Sequence, residues 1–232
     1  MIELNKIYNE DCLECMKRID DKSINLICTD PPYLTNYKTK MRKDKTHKFC
    51  TPILNDNNPD LIKNYFVECY RILKNDTALY SFCDINKLEI LKNYITNAGF
   101  EIRNIIIWSK GGGGCGDLDC AFSKDYEVII LANKGKSKIL KHRYGSIWAF
   151  SKVKTQELIH QNQKPVDIII RMIREHSKEG DTIFDGFAGS GTTPIACLQT
   201  NRNFIACELD VSEYDLATKR INDFKAQTSF FD

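Results

Sequence analysis

The sequence predicts an α/β fold, a doubly wound and mostly parallel sheet in one domain, on three observations. Short apolar runs alternate with longer amphipathic stretches, the pattern of strands and helices in a largely parallel sheet. One apolar run leads through a glycine-rich turn into a helix at Thr182–Pro194. The chain has 232 residues, 42% of them hydrophobic and 28% charged, which suits a soluble globular protein with a single core.

Taken in order, the candidate strands are Ile24–Cys28, Ala78–Phe82, Ile102–Trp108, Glu127–Leu131, Thr182–Phe184 and Phe204–Cys207, each a short run rich in branched or aromatic residues. Helical spacing of apolar residues marks Asp11–Arg18, Asp60–Leu73, Ile85–Ala98, Pro165–Ser177, Pro194–Gln199 and Glu213–Phe224. Thr193 is placed to cap the helix after the glycine turn, with Pro194 in its first position.

Three stretches fall outside the repeating unit: Leu34–Pro59, Gly111–Lys124 and Asn133–Gln163. Long connections of this kind are usually functional or mobile. The run Gly111–Gly114 reads as a hinge. The net charge of +2 says little about partners, but its distribution says more. Lys38, Lys40, Arg42, Lys43, Lys45 and Lys48 crowd the first stretch, and Lys138, Lys141, Arg143, Lys152 and Lys154 lie in the third, where no acidic residue occurs between Asn133 and Gln156. The alternative for either stretch alone is a solvated basic surface.

The amino terminus carries charge before any apolar run, and no window is long and apolar enough to span a membrane, so cytoplasmic residence is expected. Ten cysteines in a chain with so large a core read as mostly reduced thiols rather than a disulfide scaffold. Cys12 and Cys15 have metal-ligand spacing, and Cys115 with Cys120 is the pair that would complete a zinc site. That second spacing is loose, however, and burial of one helix face explains Cys12 and Cys15 better, so no metal is expected.

Two motifs carry chemistry. In Asp185-Gly-Phe-Ala-Gly-Ser-Gly-Thr-Thr193 the glycines have P-loop spacing, but Thr192 stands where the phosphate-binding lysine belongs. A nucleoside ligand without outer phosphates fits better. Glu208, 23 residues after Asp185, ends the next strand, where an acid commonly takes ribose hydroxyls; the plainer alternative is an exposed strand-end glutamate. The second motif, Asp30-Pro31-Pro32-Tyr33, directly follows the strand Ile24–Cys28. Alone it is a good turn. Two such turns at carboxyl ends of strands point to a ligand site, because open α/β sheets bind there.

With these motifs in this order the chain resembles the amino-directed DNA methyltransferases, in particular their β group, where the catalytic motif precedes the cofactor motif. Asn9-Glu10-Asp11-Cys12, Gln163-Lys164-Pro165 and Glu208 through Tyr214 to Arg220 extend the likeness over about Ile7–Ile221. The resemblance implies a seven-stranded sheet of the Rossmann-like S-adenosylmethionine-dependent type. It implies one methyltransferase domain over 1–232, with a basic loop inserted at 34–59 and a small target-recognition segment at 133–160. It implies S-adenosyl-L-methionine as cofactor, held by Asp11, Asp30, Lys164, Asp185, Phe187, Ala188, Gly189, Ser190, Gly191, Thr192, Thr193 and Glu208, with Asp11 at its adenine end. Where the family usually has proline after the aspartate of the glycine loop this chain has Gly186, so a looser turn is expected.

The resemblance casts Asp30, Pro31, Pro32 and Tyr33 as the catalytic set. An exocyclic amine is a poor nucleophile because its lone pair is delocalised into the ring. A carboxylate on Asp30 and the Pro31 carbonyl, each accepting an amine hydrogen, favour a pyramidal nitrogen aimed at the sulfonium methyl. Tyr33 gives the base a stacking face, and the base must first leave the duplex. Aspartate at the head of the motif favours adenine N6; serine is more frequent there in cytosine N4 enzymes. Two further readings are a catalytically idle nucleic-acid-binding module and methylation of a protein amide. The intact Asp30 and Tyr33 count against the first, and the motif order together with Asp30 in place of asparagine counts against the second. Double-stranded DNA is the expected partner. A second copy of the chain and a cognate restriction endonuclease are common companions in the family.

Overall fold

Among the described residues eight strands form one sheet in the order β1-β8-β7-β2-β3-β5-β4-β6. The computed structural model describes residues 2–35, 54–112, 120, 122–153, 158 and 163–228. Along the chain run β1 (Lys6–Tyr8), α1 (Cys12–Met16), β2 (Ile24–Thr29), α2 (Pro59–Ile72), β3 (Leu73–Cys83), a 3-10 turn (Ile85–Lys87), α3 (Leu88–Asn97), β4 (Glu101–Ser109) and β5 (Tyr126–Lys134). There follow β6 (Ile147–Ala149), α4 (Val166–His176), β7 (Thr182–Asp185), α5 (Thr192–Gln199), β8 (Asn203–Cys207) and α6 (Val211–Thr228).

The strands from β1 to β3 in sheet order are parallel, β5 runs antiparallel between β3 and β4, and β6 lies parallel to β4. The α/β class and the mostly parallel sheet agree with the sequence reading, but the count of seven strands is corrected to eight. The unforeseen strands β1 and β6 are each three residues long, too short to show a period. The stretch Asn133–Gln163 is likewise not wholly irregular, since β5 reaches Lys134 and β6 lies within it.

Both faces of the sheet are covered, which is why its inner strands read as continuous apolar runs. Leu26 and Cys28, Ile129 and Leu131, and Phe204 and Ala206 pack on one face under α4, α5 and α6. Ile27, Ile130, Ala132, Ile205 and Cys207 point to the other, under α1, α2 and α3. Cys12 and Cys15 are buried on α1, as one-face burial requires, while Cys115 lies outside the described residues. Among the described residues seven buried cysteines carry free thiols.

From β2 the chain passes through α2 to β3 on one side, and from β7 it passes through α5 to β8 on the other. The gap between β2 and β7, which pair Leu26 with Ile183 and Ile27 with Phe184, is therefore the switch point of the sheet. No helix among the described residues is long and apolar enough to cross a membrane.

Candidate active site

Asp30 follows β2 and Asp185 ends β7, so two neighbouring parallel strands deliver both motifs to one edge of the sheet. There a cavity of about 650 Å³ is lined by Asp11, by Asp30–Tyr33, by the loop from Asp185 to Ser190 and by Glu208. That size matches the usual range for a small-molecule site.

On the glycine-loop side, Asp185 is buried and accepts hydrogen bonds from the Phe187 N–H at 3.1 Å and from the Thr193 hydroxyl. Burial raises its pKa to about 7 despite those bonds. The expectation that Thr193 caps α5 is corrected. Gly191, left-handed at φ +75°, turns the chain into a helix that already begins at Thr192, which frees Thr193 for Asp185 and moves Pro194 inward. A side chain at 191 would also press on Ala217 of α6, its Cβ 3.2 Å away.

Glu208 is not a dangling strand-end acid. Its Oε2 accepts from the Gly189 N–H at 2.8 Å and its Oε1 from the Asp210 N–H at 2.9 Å, and burial raises its pKa. Asp11 caps α1 through the Leu13 N–H at 2.8 Å and faces the same cavity. The Thr192 hydroxyl donates to the Lys164 carbonyl at 3.3 Å, and Arg220 donates to the Ser190 carbonyl at 2.9 Å. Phe187 and Ala188 complete the loop wall.

At Gly186, where the family usually has proline, the packing accounts for the glycine. A Cβ there would overlap the ring of Tyr65, with the phenol oxygen at 2.9 Å. That fully buried ring packs edge-on against Phe187 at 4.8 Å between centroids, and its hydroxyl donates to Thr29 Oγ1 at 2.8 Å. The space a proline ring would take is filled from α2.

On the D-P-P-Y side, Asp30 Oδ1 accepts from the Tyr33 hydroxyl and Oδ2 meets Lys164 Nζ at 2.8 Å. Lys164 is buried at 9% exposure, and its ammonium also lies 3.2 Å from Glu127 Oε2. Glu127 Oε1 in turn meets Lys110 Nζ at 2.5 Å. Burial alone would lower the Lys164 pKa, but the Asp30 and Glu127 carboxylates outweigh it and hold the ammonium above its ordinary value. Burial would raise Glu127, and Lys164 with Lys110 outweigh that and hold it low. Burial pushes the Tyr33 phenol well up. Pro31 and Pro32 are buried beside this network.

Among the described residues no cluster of three or more His, Cys, Asp or Glu side chains has the arrangement of a metal site. Sequence reasoning found Asp30, Tyr33, Lys164 and the glycine loop, and missed Glu127, Lys110 and Tyr65. A charge opening the apolar strand β5 was the available signal for Glu127. Of the basic candidates, Lys38, Lys40, Arg42, Lys43, Lys45, Lys48 and Lys154 lie outside the described residues. Lys138, Lys141, Arg143 and Lys152 are exposed, and none of them lines this cavity.

Comparison with known proteins identifies a family. The family described as DNA methylase (N6/N4) matches residues 24–219. The type II methyltransferase M.HinfI of Haemophilus influenzae is 28% identical across 96% of this chain and 69% of its own length. Among solved structures, the M1.HpyAVI–SAM complex superposes with TM-score 0.70 at 22% identity, covering 93% of this chain and 98% of that one. The cytosine-N4-specific PvuII DNA methyltransferase gives TM-score 0.75 at 15% identity over 94% and 90%. With the D-P-P-Y turn and the glycine loop brought to one cavity and the family match spanning most of its length, the chain belongs to the amino-directed N6/N4 DNA methylases.

Proposed function

We propose that the protein transfers the methyl group of S-adenosyl-L-methionine to the N6 amine of adenine in double-stranded DNA, with the target base turned out of the duplex. The observation that carries this reading is the position of Asp30 and the glycine loop on two neighbouring strand ends of one cavity. The cavity suits the cofactor. Asp11 and Glu208 line it with acceptors for a nucleoside, beside the Lys164 ammonium that Asp30 and Glu127 hold. A related solved structure is named as a SAM complex. When bound, the cofactor supplies an electrophilic methyl on a sulfonium that leaves as a neutral thioether.

The chain's own part is to hold and orient. Glu208 fixes the loop through Gly189 and keeps lone pairs for ribose hydroxyls, since a carboxylate has about four acceptor sites. Phe187, Ala188, Ser190, Gly191 and Thr192 form the wall against which the nucleoside lies, and Asp11 faces its adenine end. Asp30 and the Pro31 carbonyl accept the two amine hydrogens, drawing the nitrogen lone pair towards the methyl, and Pro32 keeps that carbonyl turned outward. As the N–C bond forms, the nitrogen releases one proton, which Asp30 is placed to accept. Tyr33 stacks on the base.

Lys38–Lys48, Lys152 and Lys154 supply phosphate contacts in the inserted loop and the recognition segment. The second reading is cytosine N4, since the cytosine-N4-specific PvuII DNA methyltransferase shares this fold. Mass spectrometry of nucleosides from unmethylated DNA treated with protein and cofactor separates the two: N6-methyladenine is expected, and N4-methylcytosine alone would overturn the adenine assignment.

A further inference from the structure

The basic stretch after β5 does not lie on one side of the molecule. Because β5 is antiparallel, Tyr126 stands at the cavity edge and Lys134 at the far edge, eight residues or about 26 Å away at ~3.3 Å per residue. The Lys136 N–H donates to Asp76 Oδ1 at 2.7 Å and Asn133 Nδ2 donates to the Ser137 carbonyl at 3.3 Å, which holds the start of the connection at that far edge.

The chain then climbs along α4. The Leu140 N–H donates to the Glu175 carbonyl at 2.8 Å, and the His142 N–H donates to the buried Glu175 carboxylate at 2.9 Å. One helical turn earlier, on the same face of α4, the Arg171 guanidinium packs on the rings of Tyr144 at 4.4 Å, Trp148 at 5.2 Å and Phe150 at 4.3 Å. Phe150 is fixed at the cavity edge, its N–H donating to Ser109 at 3.1 Å and its carbonyl accepting from the Trp108 indole at 2.8 Å.

Resting on the DNA methyltransferase reading above, we propose that Arg171 is a positioning residue that, above the backbone contacts of Glu175, threads this connection up to the DNA-facing edge. In this segment DNA contact then begins after Phe150, with Lys152, and not at Lys138, Lys141 or Arg143. A duplex lying over the cavity edge does not reach side chains held at the opposite edge. A clamped approach lowers the ordering cost of binding without itself touching phosphate.

Binding and methylation of unmethylated plasmid DNA, measured across a salt series, test this. Arg171→Ala is expected to raise the DNA Kd and KM about tenfold through lost preorganisation. It should leave the cofactor Kd and the slope of log Kd against log salt unchanged. Lys152→Ala should reduce that slope by about 1, as one lost phosphate contact does. The triple variant Lys138→Ala, Lys141→Ala, Arg143→Ala should match the parent. The inference is overturned if Arg171→Ala reduces the slope, which makes it a phosphate contact, or weakens cofactor binding in parallel, which makes it a general structural residue. It is also overturned if the triple variant binds DNA more weakly or Lys152→Ala changes nothing. Failure of the parent protein to methylate the plasmid would sink the functional reading instead, independently of any variant.

Discussion

The Lys164 ammonium lies 2.8 Å from the Asp30 carboxylate, tying the residue that leads into α4 to the turn after β2. Glu127 takes a second side of the same ammonium at 3.2 Å, and Lys110 balances Glu127. Four charges thus sum to zero around the buried Lys164 at the cavity wall. Removing one leaves the rest uncompensated, and breaking such a buried pair costs about 3–5 kcal/mol. Lys164→Met is expected to lose close to that much stability in urea unfolding, and with it methyl transfer. Glu127→Gln keeps the shape but releases Lys164 towards Asp30 alone. Its kcat should fall about tenfold with the cofactor Kd nearly unchanged, the pattern of an interaction lost chiefly in the transition state. Parent-level turnover in Glu127→Gln would remove Glu127 from the machinery.

Tyr33 combines two roles that substitution can separate. Its hydroxyl donates to Asp30 Oδ1, and its ring stands beside the cavity that the base is proposed to enter. Tyr33→Phe keeps the ring and should retain most of the turnover, whereas Tyr33→Ala loses a stacking face worth ~1–3 kcal/mol and should raise the DNA KM roughly 5- to 150-fold. Steady-state kinetics of the two variants decide the matter. Equal impairment would place the function of Tyr33 in its hydroxyl.

Legibility in the sequence followed locality. Asp30, Tyr33, Asp185 and the glycine loop were readable because each motif combines turn geometry and functional groups within a few consecutive residues. Glu127 and Lys110 were not. The place of Glu127 at the cavity edge depends on β5 running antiparallel, which apolar patterning does not reveal, and Lys110 after β4 reaches Glu127 only because β4 pairs with β5. The same reversal starts the connection that carries Lys138, Lys141 and Arg143 at the far edge, although it follows β5 directly. The short strands β1 and β6 exist only because β8 and β4 offer them edges to pair with.

Gly186 illustrates the same limit from the energetic side. Its missing side chain is matched by Tyr65 of α2, a partner far away in sequence. Gly186→Ala forces that ring to shift and is expected to cost ~1–3 kcal/mol, typical of overpacking. In a double-mutant cycle with Tyr65→Leu, which shortens the obstructing side chain, the two costs should fall short of additive by at least ~0.5 kcal/mol. Additive losses measured by urea unfolding would show that the two positions do not compete for space.

Asp185 makes stability depend on pH with a definite sign. Burial lifts its carboxyl to about 7 from the ordinary value of 3.8, against the pull of the Thr193 and Phe187 bonds. The native state therefore keeps a proton that the unfolded chain releases. The stability this contributes is fully present below about pH 4 and is lost as pH rises through about 7. Asp185→Asn removes the titration while keeping an acceptor for Thr193. Parent and variant, unfolded in urea without cofactor, should differ by an amount that changes steadily against the parent from about pH 4 to pH 7 and then levels off. A difference constant across that window would mean that Asp185 is solvated in the native state and not desolvated by the loop around it.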